Sequence, residues 1–122
     1  MATDTIPLSS PIGANIFEDS NSNGTGTQVK ASSAVVFGVD IDNSLNTSTS
    51  HTKLYNNAAP TIGTTAPHAI IRTKASARRM ITYGTGEGAT FGTALFVATV
   101  TAGGTGGTTS PGNAVTVRVL YT

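Results

Sequence analysis

The sequence predicts an all-β protein, a small β-sandwich or jelly-roll-like domain with an extended N-terminal arm. Three observations carry that expectation. Residues 34–43, Ala-Val-Val-Phe-Gly-Val-Asp-Ile-Asp-Asn, set Val35, Phe37, Val39 and Ile41 on one side of a two-residue period, with Gly38, Asp40 and Asp42 on the other. Residues 113–121 alternate in the same way, Val115, Val117, Val119 and Tyr121 against Ala114, Thr116, Arg118 and Leu120. No stretch carries a defensible helical face: in residues 34–43 such a face would bury Gly38 and Asp42 together with Val35 and Val39. Burying the four apolar side chains of residues 34–43 contributes about 1.5–3 kcal/mol each. That offsets the ordering of one short strand but not of the loops around it, so the strand needs partners, and residues 113–121 are the best candidate.

At 122 residues the chain is long enough for one core and too short for two domains. Charged residues are 11% of it, so Thr, Ser, Asn, Gly and Ala must cover much of the surface. A surface of that kind repels its neighbours weakly, which suits a protein packed into an assembly better than a free monomer. The net charge of +1 gives no general attraction to nucleic acid or to membrane. There is no Cys, so neither disulfides nor thiolate metal sites are available. The opening Met-Ala-Thr-Asp-Thr-Ile-Pro has no basic or apolar region of a secretory signal, and no apolar run is long enough to span a membrane.

Taken in order, residues 1–32 read as the arm and residues 33–122 as the sandwich domain. In the arm, Pro7 and Pro11 oppose regular ladder pairing, and Asp19-Ser-Asn-Ser-Asn-Gly-Thr-Gly-Thr reads as loop. Short extended pieces are expected at residues 4–8 and 27–31. After the strand at 34–43 comes a polar loop, then a short strand at 51–56 expected to pair with it. Residues 58–67 are an extended connection held at both ends by Pro60 and Pro67. Residues 68–73 and 78–83 suggest a hairpin across 74–77. A further strand starts near residue 89, and the β-branched and aromatic run 93–101 is a strong one. The glycine-rich loop 103–111 then returns the chain to the last strand.

The candidate chemistry is thin. Asp19, Ser20, Asn21, Ser22, Asn23 and Gly24 match the first half of a calcium loop, but the position that should carry a bidentate Glu is Lys30. Asp40 and Asp42 lie on one strand face, where they either share a cation or are simply solvated. His51 and His68 have no partner at zinc-site spacing. No nucleophile elbow appears, and the glycines at 103–107 lack the Gly-Lys-Ser/Thr ending of a phosphate loop. No enzyme activity, cofactor, metal or small-molecule substrate is therefore expected. Arg72, Lys74, Arg78 and Arg79 are four of the chain's seven basic residues, and they suggest one positive patch. Solvation or contact with an acidic protein fits this patch better than nucleic acid, because no aromatic residues interleave with the bases.

Phe37-Gly-Val-Asp-Ile-Asp-Asn-Ser, Thr52-Lys-Leu-Tyr-Asn, Ala59-Pro-Thr-Ile-Gly-Thr-Thr-Ala-Pro and the closing Gly-Thr-Thr-Ser-Pro with Ala114-Val-Thr-Val-Arg resemble small virion proteins of tailed bacteriophages. The resemblance covers about residues 33–122 and includes no catalytic motif. It implies a structural component of the virion, similar to capsid decoration (cement) proteins, on the capsid exterior. Its implied partners are the major capsid protein and sister copies in a trimer, without nucleic acid or membrane; a tail or fibre component is the alternative. Such proteins hold a shell together by binding only its assembled form. The residues expected to make these contacts are Ile6, Pro7, Leu8, Pro11 and Ile12 of the arm and Arg72, Lys74, Arg78 and Arg79 of the basic patch.

Overall fold

The computed structural model describes residues 3–7, 14–83 and 88–122. These form ten strands: β1 (Thr3–Pro7), β2 (Asn15–Ser22), β3 (Thr27–Lys30), β4 (Ala34–Asp42), β5 (Ser50–Tyr55), β6 (Ala69–Thr73), β7 (Arg78–Thr82), β8 (Ala89–Phe91), β9 (Leu95–Val100) and β10 (Val115–Tyr121). One sheet has the order β1-β2-β10-β4-β7, with β8 beside β7's end of the same β4 edge; the other is β3-β9-β5-β6. All pairings are antiparallel.

The pairings describe a long hairpin rolled on itself. β2 lies against β10, β3 against β9, β4 against β7 and β8, and β5 against β6, so each strand of the outgoing half meets its counterpart on the return. Rolling adds the contacts β10–β4 and β9–β5. This is jelly-roll connectivity, two sheets built from nested antiparallel pairs. Between the sheets lie Phe17, Val36, Val39, Ile41, Leu54, Phe91, Leu95, Val97, Val115, Val117 and Val119, all at most 3% exposed. A polar seam runs through this interior: Ser22 Oγ and Thr99 Oγ1 are 2.8 Å apart, and Thr52 Oγ1 lies 3.1 Å from Thr99 Oγ1.

The alternation of residues 113–121 is realised, with Val115, Val117, Val119 and Tyr121 buried and β10 paired to β4. In β4 the expected phase holds for only half the strand. Val39 and Ile41 are in the core, but Val36 and Ala34 replace Val35 and Phe37. The cause is a bulge: Leu120 pairs with Gly38 and Tyr121 with Val36, so Phe37 is an extra residue that reverses the side-chain phase.

Three other expectations are corrected. Residues 51–56 form β5, but β5 pairs with β9 and β6, in the sheet opposite β4. Residues 68–83 are not a hairpin: β6 and β7 belong to different sheets, and 74–77 is the crossover between them. Residues 15–30, read as part of the arm, supply β2 to one sheet and β3 to the other. β2 hid from pattern reading because two of its three inward side chains are polar. Phe17 packs in the core beside Asp19 and Ser22, and Asp19 is satisfied by the Asn21 amide at 3.0 Å and the Thr27 hydroxyl at 3.1 Å. Pro7 is tolerated in β1 because it ends an edge strand, opposite Asn15.

Candidate functional site

The loops at one end of the roll are tied by asparagines. Asn43 is fully buried, and its Nδ2 donates to Ser48 O and Lys74 O, both at 3.0 Å. Asn46 Nδ2 donates to Asn43 Oδ1 and to Asn113 O, and Asn113 returns its backbone N–H to Asn46 Oδ1 at 2.8 Å. The Ser76 amide donates to Asn46 O, and the Asn43 amide to Ala77 O. Three connections, 43–49, 74–77 and 101–114, are thereby held as one unit. Sequence reading saw only a polar loop here, since Asn in a Ser/Thr-rich stretch carries no mark of burial.

The two outer faces differ. On the β3-β9-β5-β6 sheet, Lys53, Tyr55, Ala98 and Val100 point away from the core yet are at most 1% exposed. The glycine-rich loop after β9 covers them. Gly107 O accepts from Lys53 Nζ at 3.2 Å, and a Cβ at Gly103 would sit 3.2 Å from the His51 ring. Connection 56–68 meets the same loop, a Cβ at Gly63 (φ 92°) falling 2.5 Å from Thr108 Cγ2. The glycine-rich loop is thus a cover over this face, not a phosphate cradle. Burial pushes the Lys53 ammonium below its ordinary range and the Tyr55 phenol above its own.

The outer face of the other sheet carries no such cover among the described residues. Its cross-strand rows read Ile16–Leu120–Gly38–Thr82 and Glu18–Arg118–Asp40–Met80. The second row is a charge ladder: Arg118 Nε donates to Glu18 at 2.6 Å and its Nη1 lies 3.5 Å from Asp40, which also receives the Arg78 guanidinium, Nε at 2.9 Å. The Arg78 hydrogen bond holds the Asp40 carboxyl below the ordinary carboxylate range against the opposing effect of burial, with the charges of Arg78 and Arg118 assisting. Beside the ladder, Ile16, Gly38, Met80 and Leu120 line an apolar depression of about 270 Å³, and Met80 is 64% exposed.

The basic patch is assembled, at the crossover rather than on a hairpin. Arg72, Thr73, Lys74, Ala77, Arg78 and Arg79 line a cleft of about 240 Å³, and Arg79 Nη1 donates to Arg72 O at 2.7 Å. Arg78 faces the charge ladder as well. Of the arm residues, Ile6 is the register partner of Ile16 and Pro7 of Asn15, at the edge of the open-faced sheet. Leu8, Pro11 and Ile12 lie outside the described residues.

The chain matches none of the family models, curated proteins or solved structures with which it was compared.

The remaining candidates find other uses. Asp19 and Ser22 of the calcium-like run are strand residues turned inward, and Asn23 Oδ1 accepts from the Thr25 amide at 2.9 Å in an Asx turn. Asp42 accepts from the Ser44 amide, and its hydrogen bonds to Ser44 hold it below the ordinary carboxylate range. The His68 ring packs against Phe91 with centroids 4.7 Å apart. Among the described residues no three His, Asp or Glu side chains gather where one metal ion could bind.

Proposed function

We propose that the protein is a structural virion component that decorates and stabilises an assembled phage capsid by protein–protein contacts. The observation that carries this reading is the asymmetry of the slab. One outer face is closed by the chain's own loops, and the other presents Met80, Ile16 and Leu120 around Gly38 beside a self-neutralised charge ladder. Charges already paired on the face need no counterpart on a partner, so association there is driven by apolar area. Jelly rolls recur in viral capsid proteins, which supports the reading by analogy of fold. The likeness of residues 33–122 to tailed-phage virion proteins supports it from the sequence. In this reading the partner is the major capsid protein, copies assemble as a trimer, and the N-terminal segment reaches a neighbour.

Quantitative mass spectrometry of purified particles tests it. A decoration protein is present in hundreds of copies and is lost together with shell stability when the open face is blocked. A handful of copies per particle indicates a tail or fibre component instead, and absence from particles contradicts both.

A further inference from the structure

The basic residues of this chain are unevenly committed. Arg118 and Arg78 are paired with Glu18 and Asp40, and Lys53 is buried under the loop after β9. Arg72, Lys74 and Arg79 are exposed and form no ion pair with any described residue. All three line the crossover cleft. With a net charge of only +1, the chain concentrates positive charge here rather than spreading it.

The cleft is also pre-formed. The crossover that carries Lys74 and Ala77 includes Ser76, a non-glycine residue at φ 53°, whose N–H donates to Asn46 O at 2.8 Å, while Asn43 fixes Lys74 O and Ala77 O. A left-handed residue outside glycine persists only where its surroundings impose it. Preorganisation of this kind lowers the ordering cost of a complex. β6 and β7 are the edge strands of their sheets, and the Arg79–Arg72 bond spans the two edges with most guanidinium donors left over.

We propose that this cleft binds an extended acidic peptide segment of a partner protein. Arg72, Lys74 and Arg79 take its carboxylates. Nucleic acid fits less well, because no aromatic ring lines the cleft for base stacking. The inference rests on the reading of the protein as an adhesive component, but not on which particle it joins.

The test is fluorescence anisotropy of the full chain with a labelled peptide of alternating Glu and Val, its Lys/Val counterpart, and labelled oligothymidylate. The acidic peptide is expected to bind, more weakly as salt is raised, and the Lys peptide not to bind. The combined variant R72Q/K74Q/R79Q is expected to lose about tenfold or more in affinity. Lys74→Glu gives a loss in the same direction should the combined variant unfold, since the Lys74 side chain makes no hydrogen bond to any described residue. Lys30→Gln, on β3 at the opposite edge of the sheet, leaves binding unchanged. Three results overturn the proposal: no binding of the acidic peptide at low salt, oligothymidylate binding as tightly, or Lys30→Gln weakening binding as much as the cleft variants. Particle copy number is a separate readout, so loss of peptide binding with full occupancy refutes the cleft and leaves the virion reading standing.

Discussion

The two outer faces of this sandwich are built from the same kinds of residue and end in opposite states. Val100 and Met80 both point away from the core, on β9 and β7; Val100 is fully buried and Met80 is 64% exposed. The difference lies in the loops. Connections 56–68 and 101–114 fold back over one sheet, while nothing described lies over the other. An outward apolar residue is therefore part of the fold on one face and free for association on the other.

The sharpest way to break this comparison is to make the same substitution on both faces. Val100→Gln buries an amide beneath the loop and is expected to cost about 3 kcal/mol in denaturant unfolding, against no more than about 0.5 kcal/mol for Met80→Gln. Equal costs would mean that the loop is not closed over β9. Next in size, Asn43→Ala removes the Asn43 amide from Ser48 O and Lys74 O and leaves Asn46 Nδ2 with Asn113 O alone, and is expected to cost about 2–3 kcal/mol. It should also raise hydrogen exchange in residues 44–49 and 74–77, the loops that shape the cleft.

Asp40→Asn sharpens the picture of the open face. The folded-state pKa of Asp40 is depressed, so its contribution is complete above the unfolded value of 3.8 and is lost as pH falls through the folded value. With Arg78 56% exposed, the expected cost at neutral pH is about 1 kcal/mol. The gap to wild type should narrow in acid, below about pH 3.8. Lys53→Met gives the smallest effect. The folded Lys53 pKa is lowered by burial, so the folded state binds fewer protons than the unfolded state, and wild-type stability rises with pH from the folded value up to 10.5. Any advantage of the Met variant at neutral pH should therefore shrink as the solution becomes alkaline.

The all-β class and the last strand were legible because residues 115–121 alternate without interruption. β4 was half legible: Val39 and Ile41 follow the alternation, but nothing in the string marks Phe37 as the extra residue at which the phase reverses. β2 was illegible because Asp19 and Ser22 turn inward, and their partners, Thr27 and Thr99, are found only once the chain is folded. The stretch 68–83 misled for a geometric reason. Four residues between two strands serve a crossover between sheets as well as a hairpin within one. The basic residues were nonetheless brought together, since both arrangements place 72 and 79 near one turn. The asparagine tie and the loop cover over Lys53 left no readable signal, for both consist of long-range bonds made by residue types common in loops.

The proposed role requires the face bearing Met80 to be open in the free protein and covered in the assembly. Met80 and Met1 are the chain's two methionines, so oxidation of Met80 is easily followed by mass spectrometry. The account predicts rapid sulfoxide formation at Met80 in the isolated protein and strong protection in purified particles that carry it. Equal oxidation rates in the two states would contradict it.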